Sequence, residues 1–258
     1  MKFKLTLNIN RKYGSCLPFN YQYEQSAVVY SILAQADRQY SAWLHENGYM
    51  LDNGKRFKLF SYSPFFPTKY RAIPSAGCLE IISDKVIWYI SFIPEKSTVE
   101  FIQGLFDKQY FVIGNKKFKV AFDIVGVEAI PSAAVLEEIR FKAQSPVCIK
   151  HNTNGRVEYL SPDTPQFKQG ILKGLMSKYE SINGHPFDFD IADFDFAVEK
   201  KTVRSKLITI KGETNDETRV RGFLFCFTMK APLELMRIAC DGGIGEQCSQ
   251  GFGFINVI

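Results

Sequence analysis

The chain has few of the residues from which several common kinds of site are built. It holds three histidines, two tryptophans and six scattered cysteines among 258 residues. Even the closest cysteine pair, Cys240 and Cys248, lacks the Cys-x-x-Cys spacing of a structural zinc site, so we expect free thiols in a reducing compartment. No apolar run reaches the length of a membrane span, and residues 1–6 alternate like a strand and unlike a signal peptide. We therefore expect a cytoplasmic protein with no membrane partner.

Positive charge is concentrated in one part of the chain. Residues 1–130 carry 16 Lys and Arg against 11 Asp and Glu, whereas residues 131–258 carry 16 against 16. Within the first part, residues 1–71 alone carry 10 against 4. A basic excess confined to one region favours a polyanionic partner such as nucleic acid, although the same surplus also serves solubility.

Hydrophobic periodicity predicts a regular alternation of strands and helices in the first half. The predicted strands are 2–9, 56–63, 79–82, 86–93 and 111–130, the last of them turning at Gly114-Asn115. The turn 83–85 joins the third and fourth strands into a predicted hairpin. The predicted helices are 21–36, 38–46 and 94–106. This order matches the ferredoxin-like unit, which RNA-recognition domains also use.

The second half repeats this theme more loosely. Its predicted strands are 136–143, 147–150, 206–211, 220–229 and a final one after residue 253. One helix is expected to begin at Asp163-Thr164-Pro165 and to present an apolar face through Tyr179, and another covers 233–239. The two halves share no sequence repeat, so the duplication is inferred from the order of elements.

Phenylalanine and aspartate alternate in the segment 187–196. Carboxylates bind Mg²⁺, but strict alternation more simply gives a strand with one buried face and one wet acidic face. No other acidic residue or histidine is visibly paired with the segment. We therefore predict no catalytic metal and no cofactor.

Four glycines near the C-terminus, Gly243, Gly245, Gly251 and Gly253, form the pattern Gly-apolar-Gly, five residues, Gly-aromatic-Gly. Glycines at this density indicate positive φ angles and close approach of another group. The loop follows a predicted helix and precedes a predicted strand. Nucleotide-binding glycines occur in the opposite order, after a strand and before a helix, which excludes that interpretation.

This glycine pattern resembles the glycine-rich loop of the repeat-associated RNA-binding (RAMP) superfamily. The N-terminal third resembles its CRISPR-associated endoribonucleases of the Cas-six type, which cut precursor CRISPR RNA. The segments that carry this resemblance are Pro18-Phe19-Asn20-Tyr21-Gln22-Tyr23, Val29-Tyr30, Leu44-His45-Glu46, Phe57-Lys58-Leu59-Phe60-Ser61-Tyr62-Ser63 and Ser145-Pro146-Val147. The resemblance covers the whole chain in order. It implies an α+β protein of two tandem ferredoxin-like (RRM-like) domains, residues 1–131 and 132–258, with a cleft between them.

The resemblance further implies metal-independent cleavage of CRISPR repeat RNA by transesterification, leaving a 2′,3′-cyclic phosphate and a 5′-hydroxyl. Tyr30, His45 and Lys58 look like the family's Tyr-His-Lys triad. A histidine pKa near 6.5 suits both proton-transfer steps. Lysine supplies charge to the phosphorane, and tyrosine orients the 2′-hydroxyl. Lys55 and Arg56 are near enough in sequence to take the lysine's role, so Lys58 is chosen by resemblance alone.

For RNA binding we predict Lys55, Arg56, Arg38, Arg219, Arg221 and the four glycines. Other basic residues that supplement the cleft are Lys69, Arg71, Lys168, Lys173 and Lys230. Arg219 and Arg221 share one strand face, which suits backbone tracking and equally a solvated face. The glycine loop lacks the Lys or Arg common in the family, so packing against the first domain is an alternative role for it. His151 and His185 lie in predicted loops.

Two rivals differ in class from a repeat-cleaving enzyme. One is a non-cleaving repeat-RNA-binding subunit of a CRISPR interference complex, and the other is an unrelated ferredoxin-like nucleic-acid adaptor. The retention of His45 argues against the non-cleaving subunit. The predicted partner is CRISPR repeat RNA, and the resemblance leaves room for other subunits of an interference complex and for a homodimer.

Overall fold

The computed structural model describes residues 1–131, 136–153, 155–188, 193–212 and 214–258. None of the helices in these ranges combines the length and the apolar character needed to cross a membrane. The described residues form two main sheets, one built from residues before 131 and one from residues after 136, together with smaller two- and three-stranded sheets. The expected domain boundary at 131/132 adjoins residues 132–135, which lie outside the described residues, and it stays a prediction.

The first half contains eleven strands and three α-helices among its described residues. The strands are β1 (Lys2–Asn10), β2 (Cys16–Pro18), β3 (Tyr49–Met50), β4 (Arg56–Phe57), β5 (Phe60–Tyr62), β6 (Phe66–Pro67), β7 (Tyr70–Ile73), β8 (Cys78–Ile81), β9 (Lys85–Phe92), β10 (Tyr110–Gly114) and β11 (Lys119–Ile130). The helices are α1 (Gln22–Ala36), α2 (Arg38–Glu46) and α3 (Glu95–Asp107). The main sheet has the order β10-β11-β1-β9-β5, and β6 also pairs with β9. Without the added β10, the order β11-β1-β9-β5 is that of a ferredoxin-like βαββαβ unit.

Strand β1 shows how the sequence pattern produces this sheet. Its residues Phe3, Leu5 and Leu7 point into the core, whereas the alternate residues stay partly exposed. Leu5 lies opposite Trp88 of β9 on one side and opposite Val127 of β11 on the other. Burying side chains of this size contributes roughly 1.5–3 kcal/mol each, so the alternation fixes which face of the strand meets the helices.

Two predictions for the first half are wrong. Strands β8 and β9 do not form a hairpin, because β1, β5 and β6 occupy both edges of β9 while β8 pairs with β2 and β7 in a separate sheet. The predicted strand 56–63 is interrupted at Leu59, whose φ is 57°. A left-handed residue cannot continue a strand, and here it separates β4 from β5.

The second half repeats the same topology. Its strands are β12 (Glu138–Ala143), β13 (Lys150–Thr153), β14 (Arg156–Tyr159), β15 (Asp195–Val198), β16 (Arg204–Ile210), β17 (Thr218–Leu224), β18 (Cys226–Lys230) and β19 (Ile255–Val257). The helices are α4 (Pro165–Asn183) and α5 (Leu233–Gly242). The sheet order β15-β18-β12-β19 is again ferredoxin-like, and β13–β14 and β16–β17 are added hairpins. The predicted α+β fold of two tandem ferredoxin-like domains is confirmed.

Helix α4 begins where the sequence predicts and runs to Asn183. The Thr164 side chain accepts a hydrogen bond from the amide of Phe167, Pro165 occupies the first turn, and Gly184 closes the helix in the left-handed region. The predicted strand 147–150 is wrong, because Val147 makes only an isolated bridge to Phe223 before β13 starts at Lys150.

Of the described residues in the alternating segment 187–196, only Asp195 and Phe196 belong to a strand, β15, so the predicted strand is wrong for 187–188 and 193–194. Phe194 and Phe196 are buried and Asp193 and Asp195 exposed. Residues 189–192 of the same segment lie outside the described residues. Within the described part of the chain, no three His, Cys, Asp or Glu side chains come together as a metal-binding group.

Candidate active site

Helices α1 and α2 bring Tyr30 and His45 together. The Ser41 hydroxyl of α2 donates to the carbonyl of Tyr30 (2.8 Å), which ties the two helices at this level. The ring of Tyr30 meets that of His45 edge to face, with centroids 4.9 Å apart, and also packs against Phe60. Burial raises the pKa of the Tyr30 phenol, so the hydroxyl keeps its proton near neutral pH. The imidazole of His45 remains exposed.

Lys58 reaches the same end of α2 from the connection between β4 and β5. Its ammonium donates a hydrogen bond of 2.6 Å to the backbone carbonyl of His45. Arg56 donates to the neighbouring carbonyl of Glu46 (3.0 Å). Two cations therefore sit on the carbonyl end of a helix, where the helix dipole favours positive charge. Burial, and secondarily Arg56, lowers the pKa of Lys58 to about 8.

A cleft of about 540 Å³ begins at Lys58 and extends between the two domains. Residues 55–60 form its wall in the first domain, and α4 together with residues 245–250 forms its wall in the second. The basic residues that line it are Lys55, Arg56, Lys58, Lys150, Lys173 and Lys178, against a single acidic residue, Glu246. Such an excess of cations in a concave surface concentrates a polyanion.

Lys178 is a residue of this cleft that sequence reasoning missed. It is 4% exposed, and its ammonium donates to the carbonyls of Gly242 (3.1 Å) and Gly243 (2.6 Å) and lies 3.3 Å from Sγ of Cys248. A signal existed in the sequence, because residue 178 follows Ile171 and Leu175 on the apolar stripe of α4. Lys150, the other missed cation, opens an added hairpin and carries no such signal.

The glycine loop, residues 243–253, follows α5 and is held by backbone hydrogen bonds. All four glycines of the pattern have positive φ. The amides of Gly243, Gly251 and Gly253 donate to the carbonyls of Ala239, Cys248 and Pro146. These three amides therefore have partners within the protein, and the RNA-binding role of the four glycines stays a prediction.

The loop also packs on the first domain, the alternative that the sequence left open. A Cβ on Gly251 would lie 2.6 Å from Cβ of Gln22, and the Ser26 hydroxyl donates to the carbonyl of Ser249 (2.7 Å). Gly245 lines the cleft together with the side chains that follow it. The loop thus joins the N-terminal end of α1 to the second domain, and residues 245–250 line the cleft.

The other predicted RNA-binding residues do not line the cleft. Arg38 is exposed at the beginning of α2. Arg219 and Arg221 lie on β17, where Arg219 is 3.8 Å from Glu217 and Arg221 donates to the Ser205 hydroxyl. Among the supplementary basic residues, Lys173 lines the cleft, whereas Lys168 pairs with Asp195 and Arg71 with Glu80.

The remaining two histidines lie apart from this constellation. His151 is exposed on β13 and not in a loop as predicted, and His185 is exposed against the ring of Tyr179. The structure therefore collects Tyr30, His45 and Lys58 at one end of α2 and leaves the alternative histidines elsewhere.

Family models match nearly the whole chain. Residues 16–122 match the model described as CRISPR-associated protein Cas6, N-terminal, and residues 130–257 match CRISPR associated protein Cas6, C-terminal. Among curated proteins, the chain is 25% identical over 256 residues to CRISPR-associated endoribonuclease Cas6 1 of Methanocaldococcus jannaschii, covering 98% of this chain and 91% of that one. It is 21% identical to CRISPR-associated endoribonuclease Cas6 of Pyrococcus furiosus, covering 93% and 83%.

Solved structures share the fold over the full length. One solved structure, that of the product of a Cas6-related gene from Pyrococcus furiosus, superposes with a TM-score of 0.82 at 20% identity. The superposition covers all of this chain and 98% of that one. A second, described as a RAMP protein binding different RNA substrates, superposes with a TM-score of 0.81 at 22% identity and covers 100% and 99%.

Proposed function

Since the chain belongs to the Cas6 family of CRISPR-associated proteins, we propose that it is an endoribonuclease that binds CRISPR repeat RNA and cuts the precursor transcript into guide RNAs. The observation that carries the proposal is the convergence of an imidazole, a phenol and an ammonium at one end of α2, beside a cleft lined by six basic residues. The relatives named as endoribonucleases support the reaction class.

The proposed reaction is transesterification within the RNA. The 2′-oxygen attacks the adjacent phosphorus, the bond from phosphorus to the 5′-oxygen breaks, and the products carry a 2′,3′-cyclic phosphate and a 5′-hydroxyl. The proton lost by the 2′-hydroxyl and the proton gained by the leaving oxygen balance, so no redox partner or water is consumed. His45 is assigned to proton transfer, because its exposed imidazole is the one nearest to the other two groups.

Lys58 and Tyr30 hold different parts of the transition state. Lys58 brings a fixed positive charge to the phosphorane, and losing such a group costs about two decades of rate. Tyr30 keeps its proton and donates a hydrogen bond that orients the nucleophile. No step is assigned to a metal.

The test is cleavage of labelled repeat RNA in excess EDTA, under single-turnover conditions. We expect wild-type protein to cut at one position, His45→Ala to lose at least two decades of rate, and His185→Ala, which removes another exposed imidazole, to cut like wild type. A cyclic phosphate is identified by resistance of the 3′ end to phosphatase until the ring is opened with acid. Undiminished cleavage by His45→Ala would refute the assignment.

The non-cleaving repeat-binding subunit remains the second candidate. One observation favours it: the ammonium of Lys58 is bonded to the backbone of His45, so Lys58 has a structural role that needs no catalysis. Tight binding of repeat RNA without product over several hours would establish this candidate. Equal affinity for repeat and random RNA would instead indicate the unrelated adaptor.

A further inference from the structure

Three aromatic rings line a pocket on the side of α2 that faces α3. The pocket has a volume of about 410 Å³ and is lined by Asp37, Gln39, Tyr40, Trp43, Tyr49 and Lys96. The rings of Tyr40 and Trp43 stack at 5.7 Å with an interplanar angle of 25°, and Tyr49 meets Trp43 edge to face at 5.3 Å. The indole nevertheless stays 38% exposed. None of these residues belongs to the proposed catalytic set.

The local fold holds the rings rigidly. Tyr40 and Trp43 are one helical turn apart on α2, and the hydroxyl of Tyr40 is hydrogen-bonded to that of Ser97 on α3. Gly48, in the left-handed region, turns the chain so that Tyr49 comes back beside Trp43. A Cβ at Gly48 would lie 2.4 Å from the carbonyl of Phe57, so there is no room for a side chain at position 48.

The pocket carries one charge of each sign. The ammonium of Lys96 lies 4.7 Å above the ring of Tyr40 and 3.5 Å from the carboxylate of Asp37. Of the three rings only that of Trp43 is exposed. An exposed aromatic ring binds unpaired nucleotides because any base can stack on it.

The pocket lies close to the proposed site of cleavage. Trp43 and His45 are two residues apart on α2, which places them on opposite sides of a helix about 10–12 Å across. A few nucleotides of single-stranded RNA cover that distance. We propose that one unpaired base of the repeat RNA, close to the phosphate that is cut, stacks on Trp43 in this pocket. This inference rests on the proposed function.

Tryptophan fluorescence gives a direct test, because the protein has only two tryptophans and Trp88 is fully buried. The probe is 2′-O-methyl repeat RNA, which has no free 2′-hydroxyl and cannot be cut. We expect it to quench the emission of wild-type protein at the concentrations where it binds. The emission of Trp43→Leu, which reports Trp88 alone, should not change. Absence of quenching in wild-type protein at saturating RNA would overturn the proposal.

An abasic scan of the same RNA tests whether the contact is with a base. At one position near the cleaved phosphate, removing the base should weaken binding to wild type roughly ten- to hundredfold and leave binding to Trp43→Leu unchanged. Trp43→Phe should keep most of the wild-type affinity, since it retains a ring. Phe106→Leu removes an exposed ring 72% accessible on α3 and should bind like wild type.

These measurements separate the inference from the proposed reaction. Two results would overturn the stacking site and leave the proposed reaction standing. One is normal cleavage without quenching, and the other is normal cleavage with equal sensitivity to abasic positions in wild type and Trp43→Leu. Quenching with base-dependent binding but no cleavage of unmodified RNA supports the stacking site and overturns the reaction. If Trp43→Leu does not fold, quenching and the abasic scan on wild type still decide.

Discussion

Lys58 is distinguished from its basic neighbours by a single contact. Its ammonium meets the carbonyl of His45, whereas Arg56 meets Glu46 and Lys55 lies over the ring of Phe57. Burial at that position lowers the pKa of Lys58 to about 8. The charge proposed to stabilise the phosphorane is therefore present at neutral pH and lost just above it.

The rate of RNA cleavage should consequently fall as pH rises above about 8. Lys58→Arg keeps its charge through this range, since the pKa of arginine exceeds about 12, and should extend activity to higher pH. The measurement is a single-turnover pH profile of wild type, Lys58→Arg and the exposed control Lys116→Arg. Identical alkaline limbs in wild type and Lys58→Arg would contradict the assigned role.

Linkage sets the sign of this residue's effect on stability. Because the folded pKa lies below the ordinary value of 10.5, the unfolded chain binds more protons between about 8 and 10.5. The contribution of Lys58 to the free energy of unfolding should therefore rise across that interval.

At the scale of elements, the glycine loop is the part whose role the sequence predicted least well. Its spacing indicated positive φ angles, which the structure has at all four glycines. It did not indicate that the amide of Gly253 would be used inside the protein, because its acceptor, the carbonyl of Pro146, is about a hundred residues away. The absence of a basic residue from the loop indicated a packing role, which the sequence left as an alternative.

Gly251→Ala tests the packing role of the loop. The alanine would adopt φ near 89° at roughly 1–2 kcal/mol and would also crowd Gln22, adding roughly 1–3 kcal/mol. Gly77→Ala is the matched control, because Gly77 has φ of 71° and nothing within 4 Å of an added Cβ. We expect urea denaturation to show a larger loss for Gly251→Ala, and equal losses would argue against close packing there.

Helix α4 carries the buried cation that holds the other end of the loop. Replacing Lys178 by Met should lower the free energy of unfolding by roughly 1.5–3 kcal/mol, since the carbonyls of Gly242 and Gly243 lose a charged donor. Lys173→Met, on the same helix and facing the cleft, should leave stability nearly unchanged. The measurement is chemical denaturation of both variants. Equal stability of Lys178→Met and wild type would refute the stabilising role of Lys178.

Sequence reasoning worked where contacts are local. The helices around Tyr30 and His45, and the capped start of α4 at Thr164, follow from periodicity and capping within a few residues. It failed where partners are distant in sequence. The separation of β8 from β9 cannot be seen from neighbouring residues, because it depends on which strands pair with the edges of β9. The position of Arg221 outside the cleft cannot be seen either, because it depends on the added hairpin β16–β17.

At the scale of the whole molecule, the cleft is strongly basic because cations from both domains line it. Lys55, Arg56 and Lys58 come from the first domain, and Lys150, Lys173 and Lys178 come from the second. The formal net charge of +5 would not reveal this, since the second half of the chain is electrically neutral in sequence.

RNA affinity should accordingly depend on salt and on cleft lysines from the second domain. Lys173→Ala should weaken repeat-RNA binding and reduce the slope of log K against log salt by about 0.7, the value for one phosphate contact on a single strand. Lys116→Ala removes the same charge from an exposed position away from the cleft and should leave the slope unchanged. Equal slopes for all three proteins would contradict an RNA path through the cleft.

The loop's place between α5 and β19 has one further consequence. The short segment that ends the chain has two roles. Residues 249–251 pack on α1, and β19, which follows them closely, completes the second sheet. We therefore expect folding of the second domain and its docking onto the first to be coupled. A chain in which β19 detaches should also lose the wall that residues 245–250 contribute to the cleft.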